Sequence, residues 1–397
     1  MRGRFTTVVV LVAAVMFVAA DGHAPVSSKD PGAFSVHEWG TFTSIAGVDG
    51  EAVGWTPLSG PDDLPCFVDR IELGPKWSLW GTVRMETPVL YFYTPDDLTV
   101  NVNVRFRQGV ITEWFPQARV SPSKIAGIPA ELSVQLRDTE ASASWTNVRI
   151  RPRAAADFPR ESAPSHYYPA RETDAAPVQV GSEQERFLFY RGVGEFDPPM
   201  TAVVGADGRI TVKSRSGSPV GNIVVFDNRG GTVRYYARSV TRSQTAIEPA
   251  ALEARPVASL KADLERVLIN AGLYPREAQA MIATWADTWF EEGARLFYLV
   301  PQKAIDEVLP LDIAPWPASL VRVFVGRMEL MTPATLNEVK AALMKNDQRA
   351  LAKYGRFIEP FMRRVFAQGV PADRTLMEPA RDSYYRNWRP PFGNCSR

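Results

Sequence analysis

The run "LTVNVNVRF", residues 98–106, constrains the fold of this chain more than any other stretch. Leu98, Val100, Val102, Val104 and Phe106 alternate without a break with Thr99, Asn101, Asn103 and Arg105. A period of two places the apolar set on one face of a β-strand and the polar set on the other. Gln108-Gly109 then predicts a turn into "VITEWF", so that the two runs form a hairpin. Just upstream, "PVLYFYT" is apolar on both faces and reads as a central strand covered from both sides. The same grammar continues in "RFLFYRGV", in "RITVKS" after the turn "GADG", and in "NIVVFD" joined through "NRGG" to "TVRYYARSV". Short strands separated by Gly, Asn and Asp turns argue for a sandwich rather than alternating β-α units. The 32 prolines likewise favour loops and sheet edges over a helical bundle.

One segment breaks the rhythm. Residues 151–184 are rich in Pro, Ala and Ser, show no period, and read as a long functional loop, lid or insert. After Glu248 the pattern becomes helical. Leu260, Leu264, Val267 and Leu268 share one helix ending near Gly272, and Pro275 suits the first position of the next. In that next helix Ala278, Met281, Ile282, Trp285 and Trp289 fall on one stripe, which marks the two tryptophans as core. "RLFYLVP" and "SLVRVFVGRMELMT" read as two strands between helices. Pro360 should kink or restart the terminal helix. The expectation is therefore an α+β chain: an antiparallel sandwich-like region over residues 34–245, then a mainly helical region over residues 255–397 that holds two strands.

The N-terminus sets the compartment. Two arginines precede an apolar run from Val8 to Ala20, followed by small residues, so residues 1–24 read as a secretory signal peptide. Thirteen apolar residues are too few to span a bilayer comfortably, and no later run approaches that length. The expected location is periplasmic or extracellular, with no transmembrane segment once the signal is removed. An oxidising compartment allows Cys66 and Cys395 to pair, the alternative being two unpaired thiols. A formal charge of +1 gives no electrostatic case for nucleic acid. Two cysteines and two mature histidines lack the spacings of a structural zinc site, and the sequence names no cofactor.

Candidate chemistry starts at "HEWGTFTS", residues 37–44. On a strand Phe34, Val36, Glu38, Gly40 and Phe42 share one face, while His37, Trp39, Thr41 and Thr43 share the other. His37 and Glu38 then point apart and cannot grip one ligand. Glu38 faces the apolar side, where a carboxylate must be ion-paired, hydrogen-bonded or protonated. Two uses follow: a structural anchor for an arginine, or a general acid in a cavity. His37, Trp39 and Thr41 can form the floor of a ligand site, with His166, Tyr167 and Arg171 from the long loop as its roof. Glu86 in "METP" and Glu113 in "TEWF" are candidates for paired-carboxylate hydrolysis. Trp55, Trp77 and Trp80 lie among Gly and Pro and are the tryptophans freest to stack on a sugar.

Several signatures are missing. The sequence holds no phosphate-binding loop, zinc-protease helix, serine elbow, EF-hand or CxxC motif. The runs "FSVHEWGTFTSIAGVDG", "METPVLYFYTP", "GVITEWFPQA", "FLFYRGVG" and "FVGRMEL" resemble a set of exported bacterial proteins that share an HEWGTFT motif and bring no known activity. That resemblance implies export and carries over no catalytic residue. Two functions are expected from the sequence. The first is an envelope protein that binds or scaffolds, with an envelope glycan or protein as partner. The second is a secreted hydrolase, with glycans as one expected substrate class and its site among Glu38, Glu113, His37 and His166.

Overall fold

Ten strands build the main sheet of the computed structural model, which describes residues 34–59, 63–73, 79–125 and 136–387. Across the sheet run Glu253–Ala254, Thr232–Val240, Gly221–Arg229, Gly293–Leu299 and Ser319–Leu330. Ser35–Ala46, Val83–Tyr93, Leu188–Gly194, Gly109–Phe115 and Asp69–Arg70 complete it. Ser35–Ala46 pairs parallel with Ser319–Leu330 and antiparallel with Val83–Tyr93. Strands from both ends of the chain thus meet at the centre. This overturns the expected order of a sandwich followed by a helical region with two strands. "RLFYLVP" and "SLVRVFVGRMELMT" do form strands, but as adjacent inner members of the large sheet, and Leu311–Ala314, between them in the chain, adds a strand to a second sheet. Continuous apolar runs such as "RLFYL" fit a position covered on both faces.

A second sheet packs on one face. It runs Glu183–Glu185, Val178–Val180, Glu140–Ile150, Leu98–Arg107 and Leu311–Ala314, with Arg119–Ser121 also paired to Glu140–Ile150. Val100, Val102, Val104 and Phe106 meet Val36, Phe42, Met85 and Leu90 in the core between the two sheets. The alternation read from "LTVNVNVRF" therefore holds, with its apolar face inward. The hairpin does not. Leu98–Arg107 and Gly109–Phe115 belong to different sheets. Gln108, at φ 57, carries the chain from one layer to the other, and its N–H donates to the Thr139 carbonyl. The "NRGG" hairpin forms as expected, with Gly230 and Gly231 at positive φ between paired strands.

Helices cover the opposite face of the large sheet. α1 (Val257–Asn270) and α2 (Pro275–Thr284) lie over one end, where Leu260, Leu264 and Leu268 meet Val224, Phe297 and Val325. Pro275 takes the first helical position of α2, and Gly272 at φ 114 turns the chain between the two. α3 (Gln302–Val308) turns Ile305 into the core between the sheets. α4 (Pro333–Met344), α5 (Gln348–Ala352), α6 (Ile358–Gln368) and α7 (Pro371–Asn387) surround Ile45 and Trp55. Pro360 sits in the first turn of α6, which restarts after a 3-10 turn at Gly355–Phe357. Sheet, sheet and helices make three layers. Among the described residues no helix is long and apolar enough to cross a membrane. The expected signal peptide, Trp77 and Cys395 lie outside the described residues.

Candidate functional site

The first strand is pleated as its sequence requires, and both of its faces are buried because it lies mid-sheet. Glu38 points into the space between the sheets. There Arg322, its cross-strand partner, donates from Nε at 2.6 Å, and the Tyr190 hydroxyl donates to the other carboxylate oxygen. Arg322 also reaches Asp306 of α3 at 2.8 Å. Glu38 is thus a structural anchor, with its charge met by a guanidinium inside a dry layer. His37 points the other way, onto the start of α2. Its Nδ1 lies 2.8 Å from Glu277, which also accepts from the Tyr93 hydroxyl at 2.7 Å and the Tyr274 N–H at 2.7 Å. Glu277 is the third residue of α2 and folds back on the helix start, where a carboxylate offsets unpaired N–H groups.

The long loop does not roof His37. Tyr167 is buried and donates to Glu185 at 3.0 Å, and Arg171 clamps the same carboxylate at 2.6 and 2.9 Å. Burial pushes the Glu185 carboxyl above its ordinary value against the pull of Arg171. His166 bonds the Thr284 carbonyl at 2.9 Å, meets Asp287 at 3.1 Å and stacks on Trp285. His37 and His166 therefore contact opposite ends of α2. Thr284 lies seven positions after Glu277, which is about 10 Å along a helix axis. The two imidazoles do not share a metal or a substrate atom. Among the described residues no group of three or more His, Cys, Asp and Glu could hold a metal ion.

Charge does converge elsewhere, on the helix-covered face of the large sheet. Glu86 accepts from Thr43 at 2.8 Å and pairs with Arg84 at 3.5 Å and with Arg356, which reaches in just ahead of α6. Burial works to raise the Glu86 carboxyl, yet Arg356, Arg84 and Arg327 outweigh it and hold it below its ordinary value. Two strands away, Glu113 lies opposite both Arg70 and Arg191, and Arg191 donates to Asp63 at 3.0 Å. Burial wins here over Arg84 and Thr112 and pushes the Glu113 carboxyl up to about 7. On the far side Arg327 bonds Glu291 and Glu329 at 2.7 Å each, and Arg295 meets Glu329 at 2.9 Å. Glu291 and Glu292 lie in the turn between the end of α2 at Thr284 and the strand Gly293–Leu299, and are answered by Arg327 and by the Gly230 N–H. The backbone is strained at the centre of this seam. Thr87, β-branched, sits at φ 47, facing a register slip between Trp39 and Thr41.

Each of the five runs that carry the resemblance contributes a polar side chain to this seam: Thr43, Glu86, Glu113, Arg191, and Arg327 with Glu329. The aromatic candidates divide. Trp39 and Trp55 are fully buried, Trp55 packing on Phe357, whereas Trp80 is 39% exposed beneath the Arg363 guanidinium. Cys66 is not a free thiol. Sequence reasoning missed Arg322, Glu277, Arg84, Arg191, Arg327 and Glu329 as partners. Glu277 carried a usable signal, an acid three residues beyond a helix start. Arg84 and Arg327 carried one as well, since Glu86 and Glu329 lie two positions further along the same strand and so on the same face, whereas the partners of Arg191 and Arg322 depend on which strands become neighbours. No family model matches this chain, and no curated protein is similar to it.

Proposed function

We propose that this is an exported protein of the cell envelope that binds or scaffolds an envelope glycan or protein rather than catalysing a reaction. One observation carries the reading. Glu38, Glu86, Glu113 and His37 are closed into buried partnerships, at 0%, 1%, 2% and 3% exposure respectively. Catalytic groups must meet a substrate atom within hydrogen-bond reach, and these meet one another. Export is supported by the pattern of residues 1–24 and by the motif resemblance. Exposed apolar side chains at Trp80, Trp316, Val370 and Leu376 offer contact points for a partner. The test is a screen of the purified chain against glycan and ester substrates, with fractionation of expressing cells. The expected result is no turnover and recovery outside the cytoplasmic membrane. Turnover that disappears in Glu113→Gln, or retention in the cytoplasm, overturns the proposal.

A secreted hydrolase is the second reading, and one feature favours it. Glu86 and Glu113 lie around the same Arg84 with their carboxyls pushed in opposite directions, as an acid and a base require. Their enclosure places it second.

A further inference from the structure

An opening beside α1 is unrelated to the charged seam. A cavity of about 370 Å³ lies between α1 and the strands Gly221–Arg229, Thr232–Val240 and Gly293–Leu299. Its floor is apolar: Leu264, Leu268, Trp289, Phe297 and Val325 are all buried there. Its rim is cationic. Arg238, Arg255 and Arg266 line the mouth together with a single acid, Asp263. Asp263 is shared by Arg255 and Arg266 and also accepts from the Tyr235 hydroxyl at 3.0 Å. Among the described residues Arg238 has no carboxylate partner, and its guanidinium lies over the Tyr236 ring, 5.9 Å from the centroid.

We propose that this cavity binds an amphipathic anion, one alkyl tail on the floor beneath α1 and the carboxylate or phosphate head at Arg238 and Arg255. The volume falls within the roughly 300–1,000 Å³ of small-molecule sites. An apolar floor alone would take any greasy molecule. The excess of guanidinium over carboxylate at the rim selects an anionic head, which guanidinium grips through charge-assisted hydrogen bonds. The proposal rests on the binding reading above and names the ligand class for it.

Calorimetric titration of the full chain with dodecanoate tests this. Dodecyltrimethylammonium, with the same tail and opposite charge, is the control. Saturable one-to-one binding of dodecanoate alone is expected. Arg238→Glu, at an exposed position, should weaken it about tenfold by replacing attraction with repulsion. Val267→Trp, on the half-buried wall, should abolish it by filling the space. Flotation with phosphatidylglycerol vesicles separates the two sources of such a ligand. Capture sensitive to both substitutions identifies a membrane lipid, and dodecanoate binding without capture identifies a free amphiphile; both support the site. Absent binding, equal affinity for both head groups, or indifference to both substitutions overturns it. An inert protein that ignores dodecanoate overturns the cavity assignment alone, whereas turnover in the substrate screen overturns the binding reading alone.

Discussion

Glu86 and Glu113 are buried in the same layer and respond to it in opposite ways. Three guanidiniums surround Glu86, so its carboxylate is favoured; around Glu113 desolvation prevails. Their effects on stability have opposite signs. Glu86, depressed when folded, adds stability above its ordinary value of 4.5 that is lost as pH falls through the lower folded value. Glu113 rises from 4.5 to about 7 on folding, so its contribution is complete below 4.5 and declines as pH rises to 7. The decline amounts to about 3 kcal/mol. Urea denaturation between pH 4.5 and 8 should show Glu113→Gln losing this fall, so that its deficit against the parent shrinks with rising pH. Glu86→Gln should cost about 3–5 kcal/mol at pH 7, because buried arginines lose their counter-charge. Parallel curves for the parent and Glu113→Gln would remove the assignment. These partnerships were only half legible. The parity of "HEWGTFT" put Glu38 inside, but nothing local announced Arg322, 284 residues away.

Elements were read well where their cause is local and poorly where it is not. Strand periods, the "NRGG" hairpin, the start of α2 at Pro275 and the restart at Pro360 all follow from neighbouring residues. The hairpin at Gln108-Gly109 failed because turn residues permit a reversal without choosing which sheet receives the next strand. Bulges are another such choice. The strand Leu188–Gly194 slips register between Arg191 and Gly192, and a Cβ on Gly192 would lie 2.3 Å from the Val110 carbonyl oxygen. That oxygen is backbone and cannot step aside. Gly192→Ala should therefore lose about 3 kcal/mol, read as a lower urea midpoint with unchanged slope. A shift under about 0.5 kcal/mol would show that the slip is soft.

At the scale of the molecule, the two ends of the chain depend on each other. Ser35–Ala46 lies between Val83–Tyr93 and Ser319–Leu330, so the first strand gains one neighbour early and the other only near the end. A fragment of residues 34–250 would leave that strand as a long, apolar, unpaired edge and strip α1 and α2 from its buried face. It should be recovered aggregated, or as a species without near-ultraviolet circular dichroism or a cooperative melt. A soluble fragment with a sharp transition would mean that the first 217 residues of this stretch fold by themselves.

The sequence alone determined the period of the strands and helices it announced, which face of such a strand carries which side chain, and that Glu38 would be enclosed. Tertiary structure decided which strands lie side by side, and with that the ion pairs that cross from one strand to another. The physical reason is that a period of two encodes a face but not a neighbour. An apolar run is equally satisfied beside any strand that covers it. The partner of a buried charge is fixed only when distant segments settle into one register.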